Sequence, residues 1–451
     1  MKRPDVVVVG AGTAGCVTAR RCAEMGLLTL LLDRKPYNLV GEKVCGDEVS
    51  KSHFDAIGLD YPQGDQVSCP ISGADVYPPS LTNEMRVRGW SDFDGWTINR
   101  VRFGQKLLED AIGSGVRFES DCHVAEPVVS EDQVVGLVYR GLEDQEPKTV
   151  KAKLVIDASG FAGVMRNKID SPLVEKHVEK EDVALCYREI IKLNMQLAEP
   201  EVARVFLGRT AAPNGYAWIF PKGPEVVNAG VGICGGVGQG SPKAHFESFR
   251  KDYPLFYGCE VLEGAGGAVP VRRPLKSLVA NGIAFVGDAA LQVNPIHGGG
   301  IGPGMRAGII LGEVAKEAIA KRDTSAVGLW RYNVRFQSGF GKRLASLQIF
   351  RRLLQQVRDE ELDFGFQSRM LEPSDLIAAN QGDALSIGVV GRLRRLKRGA
   401  RRIGLLLKVQ RAANLMKRMD KLYSRYPGSP AELDRWNQAV LDCLSQADFT
   451  S

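Results

Sequence analysis

The sequence predicts an α/β fold, α+β overall, in which a parallel sheet is interleaved with a second, strand-rich region and followed by a helical C-terminal part. Three observations predict it. A β-branched strand, a glycine turn and a helix open the chain, and a second strand of this kind ends at residues 287–288. Between them, residues from about 170 to 265 have more strand than helix character.

The opening motif is DVVVVGAGTAG at 5–15, with Gly10, Gly12 and Gly15 in G-x-G-x-x-G spacing. Gly10 suits a tight turn, Gly12 lets the backbone approach a pyrophosphate, and Gly15 lets the helix pack close to the strand. The N–H groups at the start of a helix bind phosphate. A helical stretch to Met25 and an apolar run ending in Asp33 follow, and an acid there suits a ribose hydroxyl. These residues predict a bound dinucleotide.

Composition is that of a globular protein with two or three domains: 451 residues, 44% hydrophobic and 25% charged. No apolar run approaches the ~18 residues of a membrane span. The glycine turn inside the first apolar stretch argues against a signal peptide, so we expect a cytoplasmic protein. Nine cysteines without a C-x-x-C pair favour neither a zinc site nor a disulfide framework, and we expect no metal.

Positive charge is concentrated in residues 391–421, which hold twelve Arg or Lys and one acid, although the net charge of the chain is only +6. Leu393, Leu396, Ala400, Ile403 and Leu407 recur at three- and four-residue steps, which predicts a basic amphipathic helix or helix pair. It either lies on an anionic membrane at the cytoplasmic face or packs on its own domain. Nucleic-acid binding is not expected, because no recognised motif accompanies the charge.

The order of predicted elements indicates interleaved domains. A helix is predicted at 99–112, and strands at 116–119, 134–140 and 149–156. We expect residues 1–75, 97–168 and 270–325 to form the cofactor domain. Residues 76–96 and 169–269 are expected to form the substrate domain, and residues 326–451 a helical C-terminal domain.

The second strong motif spans residues 282–320, where a strand ends in Gly287–Asp288 and a turn with Gly298, Gly299 and Gly300 leads into a helix. This arrangement is typical of flavoproteins, in which the aspartate binds the ribityl chain. The glycine N–H groups and the helix N-terminus approach the pyrimidine edge of the flavin and stabilise its reduced anion. NAD enzymes need no such element, so the motif favours FAD.

Further segments complete the pattern: KVCGD at 43–47, INR at 98–100, DASG at 157–160, PNGYAWIFPKG at 213–223, RRP at 272–274 and NPIHGGG at 294–300. In this order, over essentially the whole chain, they resemble the geranylgeranyl reductase family, most closely its archaeal digeranylgeranylglycerophospholipid reductases. That family lies in the flavoprotein superfamily of para-hydroxybenzoate hydroxylase. The resemblance implies a Rossmann-type FAD-binding domain, an antiparallel substrate sheet, and saturation of geranylgeranyl double bonds by reduced FAD in phospholipid precursors, diphosphates or pigment side chains.

The resemblance also implies which residues contact the cofactor. They come from both glycine motifs and from the loops and strand ends between them: Gly10, Gly12, Ala14, Gly15, Asp33, Arg34, Cys45, Gly46, Arg100, Val124, Asp157, Ala158, Gly160, Gly287, Asp288, Gly298, Gly299, Gly300 and Ile301.

Tyr216, Trp218 and Phe220 alternate in a predicted strand and therefore share one face of a sheet. An aromatic face suits an isoprenoid chain, although a buried core strand would have the same residues. The following GVGICGG repeats the G-x-G-x-x-G spacing, but it lies in a strand pattern with no helix after it. We therefore do not interpret it as a nucleotide site.

Reduction of an isolated alkene requires a hydride, a proton and a dry pocket. Cys45, in the loop that the family places beside the flavin, is the first candidate for the proton donor, and a small packing residue is its alternative role. Asp47, Tyr216 and His297 are the other candidates.

Lys43 and Arg272, with Arg273 and the basic segment, are candidates to bind a phosphate head group, and solvated surface charges are the alternative. No second Rossmann unit is evident, so we expect NAD(P)H to bind transiently or a ferredoxin-like carrier to reduce the flavin. Three other functions remain open: a flavin monooxygenase acting on a hydrophobic substrate, a non-redox isoprenoid cyclase, and a non-catalytic isoprenoid carrier.

Overall fold

A six-stranded sheet carries the first glycine turn. The computed structural model of the chain describes residues 3–89, 94–142, 146–235, 240–370, 372–374 and 402–450. The sheet order is β18-β19-β12-β1-β2-β8, parallel except for β18 against β19. Its strands are β1 (Val6–Val9), β2 (Thr29–Leu32), β8 (Arg117–Glu119), β12 (Leu154–Asp157), β18 (Val279–Ala280) and β19 (Ile283–Phe285).

Three helices pack together beside this sheet. The first follows the first glycine motif, and the last follows the second glycine motif. The four valines of β1 are all buried, as expected for a central parallel strand covered on both faces. Helix α1 contacts both of the others, and it follows the first glycine turn. The helices are α1 (Thr13–Glu24), α3 (Arg100–Gly113) and α5 (Ile301–Ala320).

A seven-stranded sheet in the order β17-β13-β16-β15-β14-β5-β6 forms the second layer, antiparallel except where β14 pairs with β5. Helix α4 (Pro242–Asp252) packs against β13 and β16. The strands are β5 (Gly73–Tyr77), β6 (Met85–Arg88), β13 (Val183–Lys192), β14 (Val202–Leu207), β15 (Tyr216–Pro221), β16 (Val226–Cys234) and β17 (Glu260–Pro270). Since β5 begins at Gly73, the predicted limit at residue 75 falls inside a strand, and the domain limits stay a prediction.

Two three-stranded antiparallel sheets complete the β-structure. One consists of β3 (Glu48–Ser50), β7 (Gly95–Ile98) and β4 (Val67–Ile71), and the short helix α2 (Lys51–Asp55) follows β3. The other consists of β11 (Pro147–Lys151), β10 (Gln133–Gly141) and β9 (Cys122–Ser130). The single strand predicted at 149–156 is wrong: β11 ends at Lys151 and pairs with β10, whereas β12 enters the parallel sheet.

Helices make up the C-terminal part: α6 (Ala326–Phe336), α7 (Lys342–Gln356), α8 (Asp359–Gln367), α9 (Ile403–Ser424) and α10 (Leu433–Ser445). Of the basic segment, residues 391–401 lie outside the described residues. Helix α9 packs on α7 and α10, and its buried face includes Leu405, Leu415 and Met419. Ile403 and Leu407, on the predicted apolar stripe, are instead exposed by 63% and 59%. In the described part of the chain, no helix is both long and apolar enough to cross a bilayer.

Candidate active site

The first glycine turn is built from close backbone contacts. Gly10 has φ +100°, and a Cβ there would lie 2.5 Å from the carbonyl oxygen of Ala158. A Cβ at Gly15 would lie 1.8 Å from the oxygen of Gly10. Gly12 is different, because a Cβ there would meet nothing within 4 Å. The turn therefore leaves open space above Gly12 at the start of α1, where a pyrophosphate fits.

Asp33 and Arg100 flank this open space. The Asp33 carboxylate accepts the Ala11 N–H at 2.5 Å and the Lys35 N–H at 2.8 Å, so it lies beside the turn. The guanidinium of Arg100 approaches Thr13 Oγ1 at 3.4 Å, and its buried Nε has no hydrogen-bond partner among the described residues. An unpartnered buried donor beside an open glycine turn fits an anionic ligand.

The DASG strand end has a structural role in the turn. The buried carboxylate of Asp157 accepts hydrogen bonds from Ser159, Met165 and Arg166 at 2.5 to 3.0 Å, so its bonding capacity is filled by its own loop. Val124 is also buried, 6% exposed in β9, two residues after Cys122, whose N–H bonds to the Asp33 carbonyl. We infer that both residues support the site from below its surface, whereas Arg34 is exposed beside Asp33.

The second glycine motif lies next to the first. Gly287 has φ +68°, and a Cβ there would lie 2.8 Å from the Cβ of Ala14 on α1. Asp288 has a side chain that is 12% exposed and accepts a 2.7 Å hydrogen bond from Lys43 Nζ. This ion pair brings Lys43 to the cofactor motif. A Cβ at Gly300 would lie 2.9 Å from Asp288 Oδ1, so the carboxylate also borders the start of α5.

The turn at 294–300 connects this motif to the seven-stranded sheet. The Gly298 N–H donates to the Asn294 carbonyl, and the Gly299 N–H donates to Nδ1 of His297 at 3.1 Å. The hydroxyl of Tyr216 on β15 donates a 2.7 Å hydrogen bond to the His297 carbonyl. The N-terminus of α5, at Ile301, therefore lies close to the face of the sheet that carries Tyr216.

The three aromatic residues of β15 share one face, as the alternation predicts. Ring centroids are 5.7 Å apart for Tyr216 and Trp218, and 6.1 Å apart for Trp218 and Phe220. A Cβ at Gly230 of β16 would lie 2.6 Å from Trp218 Cζ2, so that glycine makes room for the indole. The GVGICGG sequence thus runs along a strand beside Trp218. Trp218 and Phe220 are buried, and Tyr216 is partly exposed.

The KVCGD loop covers this aromatic face. A Cβ at Gly46 would lie 3.0 Å from the Phe220 ring, so the loop backbone touches the aromatic residues. Val44 approaches β17 at Gly267. The carbonyl of Cys45 accepts a 2.7 Å hydrogen bond from Asn228 of β16, and its Sγ accepts the Asp47 N–H at 3.3 Å. The loop therefore lies between the cofactor motifs and the sheet.

Asp47 fixes the end of the loop. It has φ +66°, unusual for a residue with a side chain. Its buried Oδ2 accepts hydrogen bonds from Lys222 Nζ and Asn228 Nδ2, both at 3.0 Å. Its carbonyl accepts the Ile98 N–H. Asp47 thus has its counter-ion in Lys222 and joins β15, β16 and β7.

Glu48, the first residue of β3, is a residue that the sequence interpretation missed. Burial raises the pKa of its carboxyl to about 7. Burial also raises the pKa of Tyr216, and the nearby Cys186, Glu48 and Cys45 raise it further. The signal was the position of Glu48 directly after KVCGD, but the sequence does not distinguish it from a surface glutamate.

His53 lies at the start of α5. A Cβ at Gly302 would overlap the His53 ring at 2.2 Å. Burial lowers the pKa of His53 to about 4, and the nearby His297 and Arg306 lower it as well. A neutral imidazole therefore packs beneath the turn that begins α5.

The structure does not place Arg272 on an exposed surface. Arg272 and Arg273 are buried, 7% and 2% exposed, and both contact Glu175, at 3.0 and 3.1 Å. Arg351 pairs in the same way with Asp182. Because the Arg272 side chain is buried and already contacts Glu175 and Asp182, we leave it out of the proposed substrate contacts.

Together these residues fit FAD. Gly10, Gly12 and Arg100 would hold the pyrophosphate, and Asp33 the ribose of the ADP half. Asp288 would hold the ribityl chain, and the turn before α5 the flavin ring. The aromatic face of β15 and the KVCGD loop then lie on the flavin side of the site.

Comparisons with known proteins match two family models, one over each part of this site. Residues 5–167 match the FAD dependent oxidoreductase family, and residues 182–269 match the geranylgeranyl reductase catalytic domain. The digeranylgeranylglycerophospholipid reductase of Sulfolobus acidocaldarius is 33% identical over 444 residues, which is 98% of this chain and 97% of that protein. A protein of the same name from Methanococcoides burtonii is 32% identical over 80% of this chain and 86% of its own length.

Solved structures have the same fold. A geranylgeranyl bacteriochlorophyll reductase-like protein from Thermoplasma acidophilum superposes with a TM-score of 0.77 at 23% identity, over 91% of this chain and 100% of that one. A flavin-dependent brominase gives a TM-score of 0.67 at 19% identity, over 89% of this chain and 100% of the other. From the sequence identity over nearly its whole length, this chain belongs to the geranylgeranyl reductase family of FAD-dependent oxidoreductases.

Proposed function

We propose that this enzyme saturates isolated double bonds of geranylgeranyl chains in an isoprenoid phospholipid precursor. The observation that carries the proposal is the aromatic face of Tyr216, Trp218 and Phe220, which the Cys45–Asp47 loop covers beside the cofactor motifs. An isoprenoid offers only methyl groups and alkenes for recognition, so an apolar wall suits it. The relatives named above are reductases of such lipids.

The protein would position the chain and exclude water. When bound and reduced, FAD supplies the hydride to one alkene carbon. Tyr216, the partly exposed residue of the aromatic face, would border the alkene, and Trp218 and Phe220 would support it from beneath the loop, where Gly46 lets the backbone pack against Phe220. A dry wall suppresses side reactions with water. Cys45, at the centre of the loop, would border the reacting carbons.

The candidate proton donors differ in what they already bind. The Tyr216 hydroxyl donates a hydrogen bond to the His297 carbonyl, and Asp47 is paired with Lys222. His297 accepts an N–H at Nδ1. These contacts support positioning roles for the three residues. We keep Cys45 as a residue that shapes the closed pocket, and Cys45→Ala should retain FAD while slowing turnover.

We also propose that α9 contributes to contact with an anionic membrane. Ile403 and Leu407 form an exposed apolar pair one turn apart, and the same helix carries the exposed basic residues Arg411, Lys417 and Lys421. Ile403→Ser with Leu407→Ser should reduce co-sedimentation with anionic vesicles. The same double change in neutral vesicles is the control, and unchanged co-sedimentation would contradict the proposal. A peripheral position would bring the enzyme to its lipid substrate.

One experiment tests the function. The purified protein is reduced with dithionite without oxygen and incubated with a geranylgeranylated phospholipid, and the product mass is recorded. A gain of two hydrogen atoms per double bond is expected. A hydroxylated product formed only with oxygen would indicate a monooxygenase, and a rearranged product of unchanged mass would indicate a cyclase. Replacing dithionite with NADPH, or with a reduced ferredoxin, then identifies the class of reductant.

A further inference from the structure

Two successive acids in the loop that covers the aromatic face have opposite environments. Asp47 is held by Lys222 and Asn228. The Glu48 carboxyl has no hydrogen bond or ion pair to any described residue. Burial is the cause of its raised pKa. When neighbouring carboxyl groups differ in this way, one serves as a fixed anion and the other can carry a proton.

The backbone fixes where Glu48 points. Val49, the next residue of β3, is 3% exposed and belongs to the core around the six-stranded sheet. Successive side chains of a strand point to opposite faces, so Glu48 points away from that core. The turn before it is held by the Asp47 side chain and by the Ile98 N–H, which bonds to the Asp47 carbonyl. Glu48 is therefore a carboxyl on a rigid support.

The cross-strand neighbour of Glu48 shows which element its side chain faces. Thr97 stands opposite Glu48 on β7, and its hydroxyl donates a hydrogen bond to the carbonyl of Pro221 at the end of β15. Residues directly opposite each other in an antiparallel pair lie on the same face, so Glu48 is on the side of its sheet that meets β15. Gly46, two residues earlier, borders the Phe220 ring, and Glu48 is among the groups that raise the pKa of Tyr216 on the aromatic face.

We propose that Glu48 is the general acid that donates the proton to the alkene, a step that rests on the proposed function. The O–H bond of Glu48 breaks and a C–H bond forms at one alkene carbon, while the hydride supplied by reduced FAD forms the C–H bond at the other. The alkene is reduced to an alkane, the flavin is oxidised, and Glu48 is left as a carboxylate that regains its proton from water. An acid that is protonated near neutral pH suits this step.

The other groups on the elements packed against β3 are neutral, ion-paired or permanently charged, or have a pKa far from neutrality. Opposite Glu48 on β7 stands the neutral Thr97. On α2, Lys51 is paired with Asp94, and the pKa of His53 is lowered to about 4 by burial. From the sheet face, burial raises the pKa values of Tyr216 and Cys186 far above neutrality. Arg306 on α5 is a cation that does not deprotonate near neutral pH.

The test uses the holoenzyme and compares Glu48→Gln, Glu48→Asp and the control Glu260→Gln, an exposed glutamate on β17. Each protein is reduced without oxygen and mixed with geranylgeranylated phospholipid, and flavin reoxidation is followed in a single turnover. The Glu48→Gln protein should bind FAD and the lipid normally, and its flavin should be reduced normally. Its flavin should be reoxidised by the lipid about 100-fold or more slowly than in the wild type. Glu48→Asp should be slowed less, and Glu260→Gln should match the wild type.

A second readout does not depend on turnover. Infrared difference spectra of the wild type over a pH series should show a protonated carboxyl that titrates at about 7 and is absent from Glu48→Gln. The wild-type reoxidation rate should fall as the pH rises through the same value, because the acid form is lost.

The proposal is overturned if Glu48→Gln turns over within about threefold of the wild type, or if no such carboxyl is seen. Should Glu48→Gln fail to bind FAD, Glu48→Asp and the wild-type pH series decide: a wild-type rate that does not change from pH 6 to 9 overturns it. Failure of the proposed function is recognised separately, because the wild type and Glu260→Gln would then both leave the lipid unchanged.

Discussion

Glu175 should stabilise the fold by pairing with two buried arginines, and Glu175→Gln tests this. Burial would raise the pKa of its carboxyl, but the charges of Arg273 and Arg272 and the Lys276 N–H outweigh burial and lower the pKa from 4.5 to about 2. That difference corresponds to about 3 kcal/mol at neutral pH. Loss of one partner from a buried charge cluster also costs roughly 3–5 kcal/mol, so two arguments give the same size.

The pH dependence follows from the sign of the shift. The folded-state pKa of Glu175 lies below its unfolded-state value, so its stabilisation is complete above about pH 5 and is lost as the pH falls toward 2. Urea unfolding of wild type and variant, followed by circular dichroism, should differ by about 3 kcal/mol at pH 7 and by about half as much near pH 3.

A matched control is Glu179→Gln, four residues further along. That glutamate is 68% exposed in its side chain and contacts only His177 among the described ion pairs, so its loss should change stability by less than about 0.5 kcal/mol. A Glu175→Gln protein within about 1 kcal/mol of wild type at pH 7, or an equal loss at both pH values, would refute the reasoning. If Glu175→Gln instead raised KM strongly and left stability unchanged, Arg272 would again be a candidate for substrate binding.

Two further predictions concern the cofactor turn and the ion pair under the loop. Gly12→Ala should leave the apoprotein as stable as wild type, because the added Cβ would contact no protein atom within 4 Å. It should weaken FAD binding at least tenfold, because the Cβ would occupy the space that we assign to the pyrophosphate. Gly15→Ala should destabilise the apoprotein as well, because its Cβ would overlap the Gly10 oxygen. Thermal unfolding measures the stability of each apoprotein, and flavin absorbance measures its FAD content. Equal apoprotein stability in the two variants would contradict the different roles of Gly12 and Gly15. Lys222→Met should destabilise the protein by roughly 3–5 kcal/mol by leaving Asp47 buried without a counter-ion. Adding Asp47→Asn should recover much of that loss, and an additive double variant would show that the pair does not interact.

The features predicted correctly from the sequence depend on local spacing. The alternation of Tyr216, Trp218 and Phe220 follows from the two-residue period of a strand, and the turn at Gly10 and Gly15 follows from residues a few positions apart. For residues only a few positions apart, the spacing along the sequence predicts their relative positions, because the backbone connects them directly. The same holds for helix α3, which begins within one residue of its predicted start.

The features that sequence did not predict depend on partners far along the chain. Arg272 is removed from the surface by Glu175, 97 positions earlier, and Asp47 is neutralised by Lys222, 175 positions later. The strand predicted at 149–156 divides because its two halves pair with different sheets. In each case the identity of the residue is compatible with both outcomes, and only its long-range neighbour decides between them.

The loop at 43–48 connects the cofactor site to the substrate sheet. Lys43 pairs with Asp288 of the second glycine motif, Gly46 contacts Phe220, and Asp47 is fixed by Lys222. The same short loop therefore contacts both the cofactor edge and the aromatic wall. Since Glu48 follows this loop without a partner of its own, its position relative to a bound alkene is set by its neighbours. The rigidity of the loop is then what would make one carboxyl group effective as an acid, because proton transfer depends on distance before it depends on pKa.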